Sequence, residues 1–328
     1  MARLLAAVLA ILGLLPVANW IAGGHGAPWY SDRLDGWLSG GAIAIGAAVI
    51  ASIAIRRWPH LWRDGLWTRV AVRWERGGIR ADVGLAALVI AIGVVVAHAV
   101  LSARPLLIDE IIQVYQARIF ATGRLWLPAP AHPEFTSSQH LLDWGGKVFG
   151  QFPAGGPALL ALGTLVGAEW IVGPLASALC AFLFARLVRR VEPRPGTALA
   201  AVLLFAIAPF VVFLGASMMN HITTTAALLA AALALSRATS GSDARTSDAF
   251  FVGLALGVAA AIRPLDAAAF AIPTAAWLAW RGRHGRSHIK ALLASGIGVF
   301  IPVSLLLAVN HAQTGDAFTF GYIAMWGR

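Results

Sequence analysis

Residues 82–102 read DVGLAALVIAIGVVVAHAVLS, and this run decides the fold class because it is apolar almost from end to end. A helix of about 20 such residues is long enough to cross the hydrocarbon core of a membrane. Eight further apolar runs occur at residues 4–22, 38–55, 170–188, 196–214, 219–236, 248–262, 264–280 and 289–309. The sequence therefore predicts an all-α polytopic membrane protein with about nine transmembrane helices.

The composition excludes the other broad classes of protein. Hydrophobic residues make up 59% of the 328 residues and charged residues 12%, whereas a soluble domain carries about 25% charged residues. A soluble enzyme, a disordered chain and a coiled coil are thereby excluded. Cys180 is the single cysteine, so no intrachain disulfide can form. The net charge of +10 does not indicate a nucleic acid partner, because the basic residues lie in short loops between apolar runs.

The distribution of basic residues predicts the orientation. With a cytoplasmic N-terminus, the inside segments contain 18 of the 25 Lys and Arg residues, as the positive-inside rule requires. These segments are residues 1–3, 56–80, 186–195, 237–246 and 281–290. We expect a multi-pass protein of the cell inner (plasma) membrane with an extracytoplasmic active site.

One apolar stretch, residues 153–168, does not fit as a span. Counting it as a crossing would invert every later loop and place the basic segment 281–290 outside. We therefore expect an interfacial or re-entrant helix on the outer side. Non-helical backbone at that depth must be covered by protein or line a cavity, so the outer face is the expected place of a site.

Two domains are predicted along the chain. Residues 1–80 form an N-terminal accessory hairpin of two spans with a basic cytoplasmic loop, and residues 81–328 form the transmembrane core. The basic segment 56–80 is either an amphipathic stretch on the inner membrane surface or a plain loop that sets topology.

The outer loop 103–152 is long enough to be functional. Its first part predicts a helix from Leu107 to about Thr122, with Gly123 as its stop. Helical spacing places Asp109, Gln113 and Gln116 on one polar stripe, which we expect to face an aqueous pocket. Further along the loop, Gly145-Gly146 predicts a tight hairpin.

Asp109 and Glu110 are the first candidates for chemistry. A carboxylate beside the outer membrane surface can take a proton from an incoming hydroxyl. The alternative is that both acids only favour the first turn of a helix, where the dipole stabilises negative charge. Adjacent residues do not share a helical face, so at most one of them is expected to be the base.

Arg263, Asn220 and His221 lie at the outer ends of predicted spans. The guanidinium of Arg263 can hold a phosphate through two hydrogen bonds, or it can pair with Asp266 three residues on. Asn220 and His221 can hydrogen-bond a sugar or a phosphate, although Asn220 is equally suited to cap the following helix.

His140 precedes the predicted hairpin, and with Gln113 it completes the set expected to contact substrate. A metal site built from His132, His140 and Asp143 is a further alternative, but the spacing of these residues matches no recognised pattern. The sequence assigns no cofactor with certainty and leaves a divalent metal ion open.

Taken in order, these segments resemble the GT-C class of integral-membrane glycosyltransferases, close to its protein O-mannosyltransferase and aminoarabinose transferase branch. The resemblance covers residues 82–328 and is carried by their order and sidedness. The matching elements are LIDE at 107–110, GQFPAGGP at 150–157, Asn220-His221, Arg263-Pro264 and TGD at 314–316.

The resemblance implies a sugar donor carried on a polyprenyl phosphate, used on the extracytoplasmic face with inversion at the anomeric carbon. Asp109 matches the position of the catalytic base and Glu110 its neighbouring acid. Arg263 matches a basic residue that holds the lipid phosphate, and His221 matches a polar residue of the pocket wall. The acceptor would be a protein, a glycan or a lipid.

Two other hypotheses compete with this one. The first is a non-catalytic transporter or flippase of lipid-linked sugar, which would place ionisable groups near the bilayer midplane on broken helices, often with inverted repeats. The second is an inactive glycosyltransferase fragment, because relatives in this class continue with more spans. The shared location of Asp109 and Arg263 in one outward-open cavity would discriminate the enzyme from the transporter.

Overall fold

The structure is a computed structural model that describes residues 65–132, 137–240, 245–282 and 286–327, with scattered positions between 42 and 58. The chain divides into two compact units, Met1–Arg73 and Trp74–Arg328. The predicted span 4–22 lies outside the described residues, and so does most of 38–55. The account below concerns the second unit.

The described residues are mainly helical. The helices are α1 (Leu66–Ala99), α2 (Ile108–Ala121), α3 (Gly155–Thr164), α4 (Val172–Val191), α5 (Pro195–Ala206), α6 (His221–Ala238), α7 (Thr246–Ile262), α8 (Pro264–Gly282), α9 (Arg286–Thr314) and α10 (Gly321–Trp326). A 3₁₀ turn covers Glu169–Ile171, and a short π-helical segment covers Phe210–Leu214. Three short strands, β1 (Leu127–Pro128), β2 (Leu141–Trp144) and β3 (Lys147–Gly150), form an antiparallel sheet in the order β1-β3-β2.

Among the described residues, four helices are long and apolar enough to cross a membrane: Trp67–Ala99, Glu169–Val191, His221–Ala238 and Ser287–Thr314. They overlap the predicted spans 82–102, 170–188, 219–236 and 289–309, although the first begins at Trp67, within the basic segment 56–80 that the sequence predicts to lie outside the span. The prediction of an all-α membrane protein is confirmed at this level, with the small sheet as its exception. The number nine stays a prediction.

The predicted span 196–214 is not one continuous helix. The helix α5 ends at Ala206, and the chain turns before Pro209 and resumes as the π-helical segment. Proline lacks the amide hydrogen that would continue the α-helical ladder. With 12 residues, α5 is about 18 Å long, so it is too short to cross the hydrocarbon core unaided.

The stretch 153–168 forms the short helix α3, with 10 residues. Its length of about 15 Å is half the hydrocarbon thickness. This length agrees with a stretch that does not cross the membrane fully, and its role as an interfacial or re-entrant helix stays a prediction.

Close helix packing builds the centre of the second unit. The helix α7 packs against α6 and α9, and the approach to α9 depends on Gly253. A Cβ at Gly253 would overlap the carbonyl of Ser295, whose own hydroxyl donates to the carbonyl of Ala249 at 2.8 Å. Small residues at such contacts let membrane helices approach closely enough for van der Waals packing and hydrogen bonding.

A buried ion pair joins α1 to α4 beside a kink at Gly78, where φ is 53°. The side chain of Asp82 is fully buried and accepts from Arg189 at 2.9 Å. The Arg189 guanidinium also lies 3.4 Å from the centre of the Trp74 ring and donates to the Trp74 carbonyl. These bonds neutralise a carboxylate that would otherwise be costly to bury.

The helix α2 and the sheet follow the loop prediction closely. The helix spans Ile108–Ala121 against the predicted 107–122, and Gly123 has a φ of 75° just beyond its end. Gly145 and Gly146 have φ values of 57° and 78°, as a two-residue hairpin turn with two positive φ angles requires. The hairpin is therefore confirmed.

Glutamine side chains and the end of α9 hold the sheet in place. Gln116 on α2 accepts from the amide of Gly150 at 2.9 Å and donates to the carbonyl of Leu125 at 3.0 Å. Lys147 and Trp144 donate to the carbonyls of Ala312 and Thr314 at the end of α9. The sheet thus lies at the end of the bundle where α2 and α10 also lie.

Candidate active site

One recess of about 640 Å³ gathers most of the predicted site residues. It lies beside the first residues of α2, α6 and α8 and beside the last residue of α7. Residues of α10 form a further part of its wall. Its polar wall consists of Asp109, Gln113, Asn220, His221, Arg263 and Asp266, and its apolar wall includes Phe152, Phe320 and Tyr322. We call this cavity the polar recess. Asp109 and Arg263, remote in the chain, share it.

Asp109 reaches the polar recess from the first turn of α2. It shares a helical face with Gln113 because four residues make about one turn. Its side chain is 38% exposed, and one carboxylate oxygen, Oδ1, lies 3.3 Å from Nε2 of His140. The carboxylate is therefore held on one side and open to the recess on the other.

Arg263 follows the last residue of α7 and forms an ion pair with Asp266 at 2.6 Å. The structural pairing weighed as an alternative is thus present, and both residues line the recess. The contact engages Nε of Arg263, so the terminal amino groups of the guanidinium remain available to an anion.

Two polar atoms of the recess wall lack a protein partner within the described residues. They are Oε1 of Gln113 and Nδ1 of His221, both buried. Buried polar atoms are normally hydrogen-bonded, so the wall of the recess is incompletely satisfied at these two residues.

Asn220 occupies the N-cap position of α6, but its side chain makes no capping hydrogen bond. Instead, its backbone carbonyl accepts from the hydroxyls of Thr223 and Thr224 at 2.8 and 2.9 Å. The capping interpretation is therefore correct for position and wrong for the side chain, and Asn220 is one of the residues that line the recess.

Two glycines of the GQFPAGGP segment let α3 approach the site. A Cβ at Gly155 would meet the backbone of Ala261 at 2.7 Å, two residues before Arg263. A Cβ at Gly156 would lie 3.0 Å from Oε1 of Gln113 and 3.1 Å from Cβ of Asn220. These contacts give the glycines of the segment a physical role, because a side chain at either position would push α3 away from the recess wall.

Glu110 points away from the recess and is only 3% exposed. Its Oε2 accepts from the amides of Leu106 and Leu107 at 2.7 and 3.1 Å, and its Oε1 accepts from the amide of Met218 at 3.2 Å. Glu110 thus ties the start of α2 to the segment that leads into α6, and so holds Asp109 beside Asn220.

Replacing Glu110 with alanine removes the acceptor for three backbone amides. We expect the free energy of unfolding to fall by about 3 kcal/mol, since each orphaned buried donor costs roughly 1–3 kcal/mol. Glu169→Ala, which breaks an ion pair with the exposed Arg118, is the matched control and should cost at most about 1 kcal/mol. Thermal unfolding in detergent measures both. A Glu110→Gln variant of unchanged stability and lost activity would instead give Glu110 a role in proton transfer.

Sequence reasoning missed three residues around the site. Tyr322 lines the recess from α10, and Gln151 and Trp326 lie behind His140. Burial raises the pKa of the Tyr322 phenol above its ordinary value; Arg263 opposes this shift and Asp109 adds to it. The phenol therefore stays protonated at neutral pH and can donate a hydrogen bond. Only Gln151 had a sequence signal, its place beside Phe152-Pro153.

The suggested metal ligands do not converge in the described part of the chain. Among those residues, no group of three or more His, Cys, Asp or Glu side chains could hold a metal ion. His140 lies against Asp109 instead.

The fold and the recess define an integral-membrane protein in which an acid and an arginine line one recess at one end of a helical bundle. Residues 153–308, just under half of the chain, match the family model of the dolichyl-phosphate-mannose-protein mannosyltransferases. No curated protein and no solved structure matches the chain. The family match confirms the resemblance and indicates a membrane glycosyltransferase of the GT-C type. The matched residues include Asn220, His221 and Arg263, while Asp109 precedes them.

Proposed function

We propose that the protein transfers a sugar from a polyprenyl-phosphate donor to an acceptor hydroxyl, with Asp109 as general base and with inversion at the anomeric carbon. The observation that carries this proposal is that Asp109 and Arg263 line the same recess. A transfer of this kind needs a deprotonated acceptor and a stabilised leaving phosphate, and these two side chains can supply both.

The bonds and charges of the reaction balance within this set of groups. The acceptor oxygen attacks the anomeric carbon, and its proton moves to the Asp109 carboxylate. The bond from the anomeric carbon to the phosphate oxygen breaks on the opposite face, which inverts the configuration. The charge that develops on the polyprenyl phosphate is stabilised by Arg263, whose terminal amino groups match phosphate oxygens.

The remaining polar atoms of the recess suit the sugar and the phosphate. Oε1 of Gln113 accepts a hydrogen bond, as from a sugar hydroxyl. His221 shares the wall with Arg263, so a proton on its Nδ1 would be donated to a phosphate oxygen. Both atoms lack a protein partner among the described residues and are buried in the ligand-free protein, so each contact would need a rotation of the side chain toward the recess.

An apolar groove beside the recess suits the lipid chain of the donor. This groove, of about 730 Å³, lies among α2, α3, α7 and α9 and shares Ile262 with the recess wall. Leu162, Leu165 and Leu305 line it and are largely exposed. A polyprenyl chain in the groove would cover this apolar surface while its phosphate points toward Arg263.

The loop charges support an extracytoplasmic recess. Arg189, Arg190 and Arg237 lie in the last turns of α4 and α6, whereas the recess lies where α6 begins. The positive-inside rule assigns the basic end to the cytoplasm. On this basis we assign the active site to the outer side of the inner membrane, with a cytoplasmic N-terminus. Ionisable groups at the end of the bundle do not favour a transporter, which would need them near the midplane.

The test is sugar transfer by the purified protein in vesicles. The donors are defined polyprenyl-monophosphate sugars, with mannose first, and the matched control is the same sugar on a nucleotide diphosphate. We expect transfer from the polyprenyl monophosphate alone, to a protein, glycan or lipid hydroxyl, with inverted product. A parallel arm with a chelator decides whether a divalent ion takes part. Transfer from the nucleotide sugar alone would contradict the proposal.

A further inference from the structure

We propose that Trp326, Gln151 and His140 form a one-way chain of hydrogen bonds that fixes the tautomer of His140 and thereby orients the Asp109 carboxylate. This inference rests on the proposed function, because it assigns positioning residues to the proposed base. It gives Trp326, Gln151 and His140 positioning roles that neither the family match nor the sequence motifs assign.

The contacts run without a break from α10 to α2. Nε1 of Trp326 lies 3.0 Å from Oε1 of Gln151. Nε2 of Gln151 contacts Nδ1 of His140, and Nε2 of His140 lies 3.3 Å from Oδ1 of Asp109. These contacts join four side chains. The side chains come from the start of α2, the loop before β2, the segment after β3 and the end of α10.

The chemistry of the two ends sets the direction of the chain. An indole N–H only donates, so Oε1 of Gln151 must be its acceptor. The amide nitrogen of Gln151 then faces His140 and can only donate, which makes Nδ1 the acceptor. A neutral imidazole with a free lone pair on Nδ1 carries its proton on Nε2. That proton points at Asp109.

The backbone holds the middle of the chain in place. The amide of Gln151 donates to the carbonyl of His140 at 2.9 Å. A Cβ at Gly321 would overlap the backbone of Gln151, so the glycine lets α10 start directly against it. His140 itself has a φ of 70°, a left-handed conformation that is costly for a residue with a Cβ. Surrounding contacts must maintain this strain, as is common where a side chain is aimed for function.

The tautomer matters for the proposed base. With the proton on Nε2, His140 holds Oδ1 of Asp109 and leaves Oδ2 for the proton of the acceptor hydroxyl. In the other tautomer, a lone pair on Nε2 would face the carboxylate and repel it. A doubly protonated ring would form a full ion pair with Asp109 and make it a weaker base. Only the neutral form that Gln151 selects combines orientation with basicity.

Gln151→Glu tests the chain because a carboxylate accepts hydrogen bonds and does not donate them. We expect Nδ1 of His140 to become protonated in this variant. The ring ¹⁵N chemical shifts of His140 report the change, with its signals identified by their loss in His140→Asn. We also expect kcat for sugar transfer to fall about 10- to 100-fold, as for loss of a charge-assisted hydrogen bond, while the donor KM changes by less than about twofold.

Trp326→Phe is the second variant, and it keeps the ring but removes the indole donor. We expect a mixture of His140 tautomers and a kcat about 3- to 10-fold lower, the effect of one neutral hydrogen bond. Trp144→Phe is the matched control, because Trp144 on β2 donates an indole hydrogen bond to the carbonyl of Thr314 at the end of α9 and is not one of the three residues of the proposed chain. It should leave the His140 signals and kcat unchanged.

The outcomes separate this inference from the proposed function. Wild-type protein with Nδ1 of His140 protonated, or Gln151→Glu with an unchanged ring, overturns the hydrogen-bond chain even if no transfer is observed. An altered tautomer with wild-type kcat overturns the positioning role alone. Full activity of Asp109→Asn overturns the base, and with it the proposed function, while the ¹⁵N shifts still report on the chain.

Discussion

Asp109→Asn is expected to lower kcat for sugar transfer by about 10³-fold, because a positioned general base contributes roughly 10²–10⁴ to such reactions. Asparagine has nearly the same shape and still accepts the hydrogen bond from His140, but it cannot take the proton of the acceptor hydroxyl. Folding and membrane insertion should be unaffected, since the Asp109 side chain is partly exposed at the recess wall. Single-turnover transfer from a polyprenyl-phosphate sugar measures the loss of the chemical step.

Asp143→Asn is the matched control for that substitution. Asp143 lies exposed on β2, away from the recess wall, so its charge is removed without touching the site. We expect wild-type kcat and wild-type thermal stability in this variant. Near-wild-type activity of Asp109→Asn would remove Asp109 as the base, whereas equal losses in both variants would point to a general effect of charge on the outer surface.

Arg263→Ala is expected to lower kcat/KM for the donor by about 10²-fold, the usual effect of removing one donor that stabilises developing negative charge. The loss should fall on use of the donor, with the acceptor KM changed by less than about threefold, because the guanidinium is assigned to the phosphate. Initial rates measured against donor concentration and against acceptor concentration separate the two effects. A selective defect in acceptor use would contradict the phosphate role.

Asp266→Asn distinguishes phosphate binding from a purely structural ion pair. The two side chains pair at 2.6 Å, so either substitution breaks the pair. If the pair only supports the fold, both variants should show the same defect. If Arg263 binds the phosphate, Asp266→Asn releases its guanidinium, and the donor KM should stay the same or fall.

The local elements around the site could be predicted from the sequence because they depend on neighbours in the chain. Asp109 and Gln113 share a face since helical periodicity places residues four apart together. Gly123 ends α2 and Gly145-Gly146 turns the hairpin because glycine accepts positive φ at little steric cost. The start of α3 is also visible within one local segment, where Pro153-Ala154 precedes two glycines.

The interruption at Pro209 was equally visible in the sequence and was misread. A proline at the fourteenth position of a predicted span disfavours continuation of an α-helix. Length and hydropathy alone measure only whether a segment prefers lipid, so they merged α5 and the following π-helical segment into one span.

The sequence by itself determined that this protein is a helical membrane protein and which loops should carry its site. Both conclusions depend on the length of the apolar runs and on the charge of the loops, which are sums over neighbouring residues. Only the tertiary structure decided that Asp109 and Arg263 line one recess, that Glu110 binds backbone amides and does not line this recess, and that Trp326 lies within hydrogen-bond distance of Gln151. These relations join segments that are far apart in the chain. Their geometry depends on how closely α3, α7 and α10 pack, and no pattern within a single segment encodes that distance.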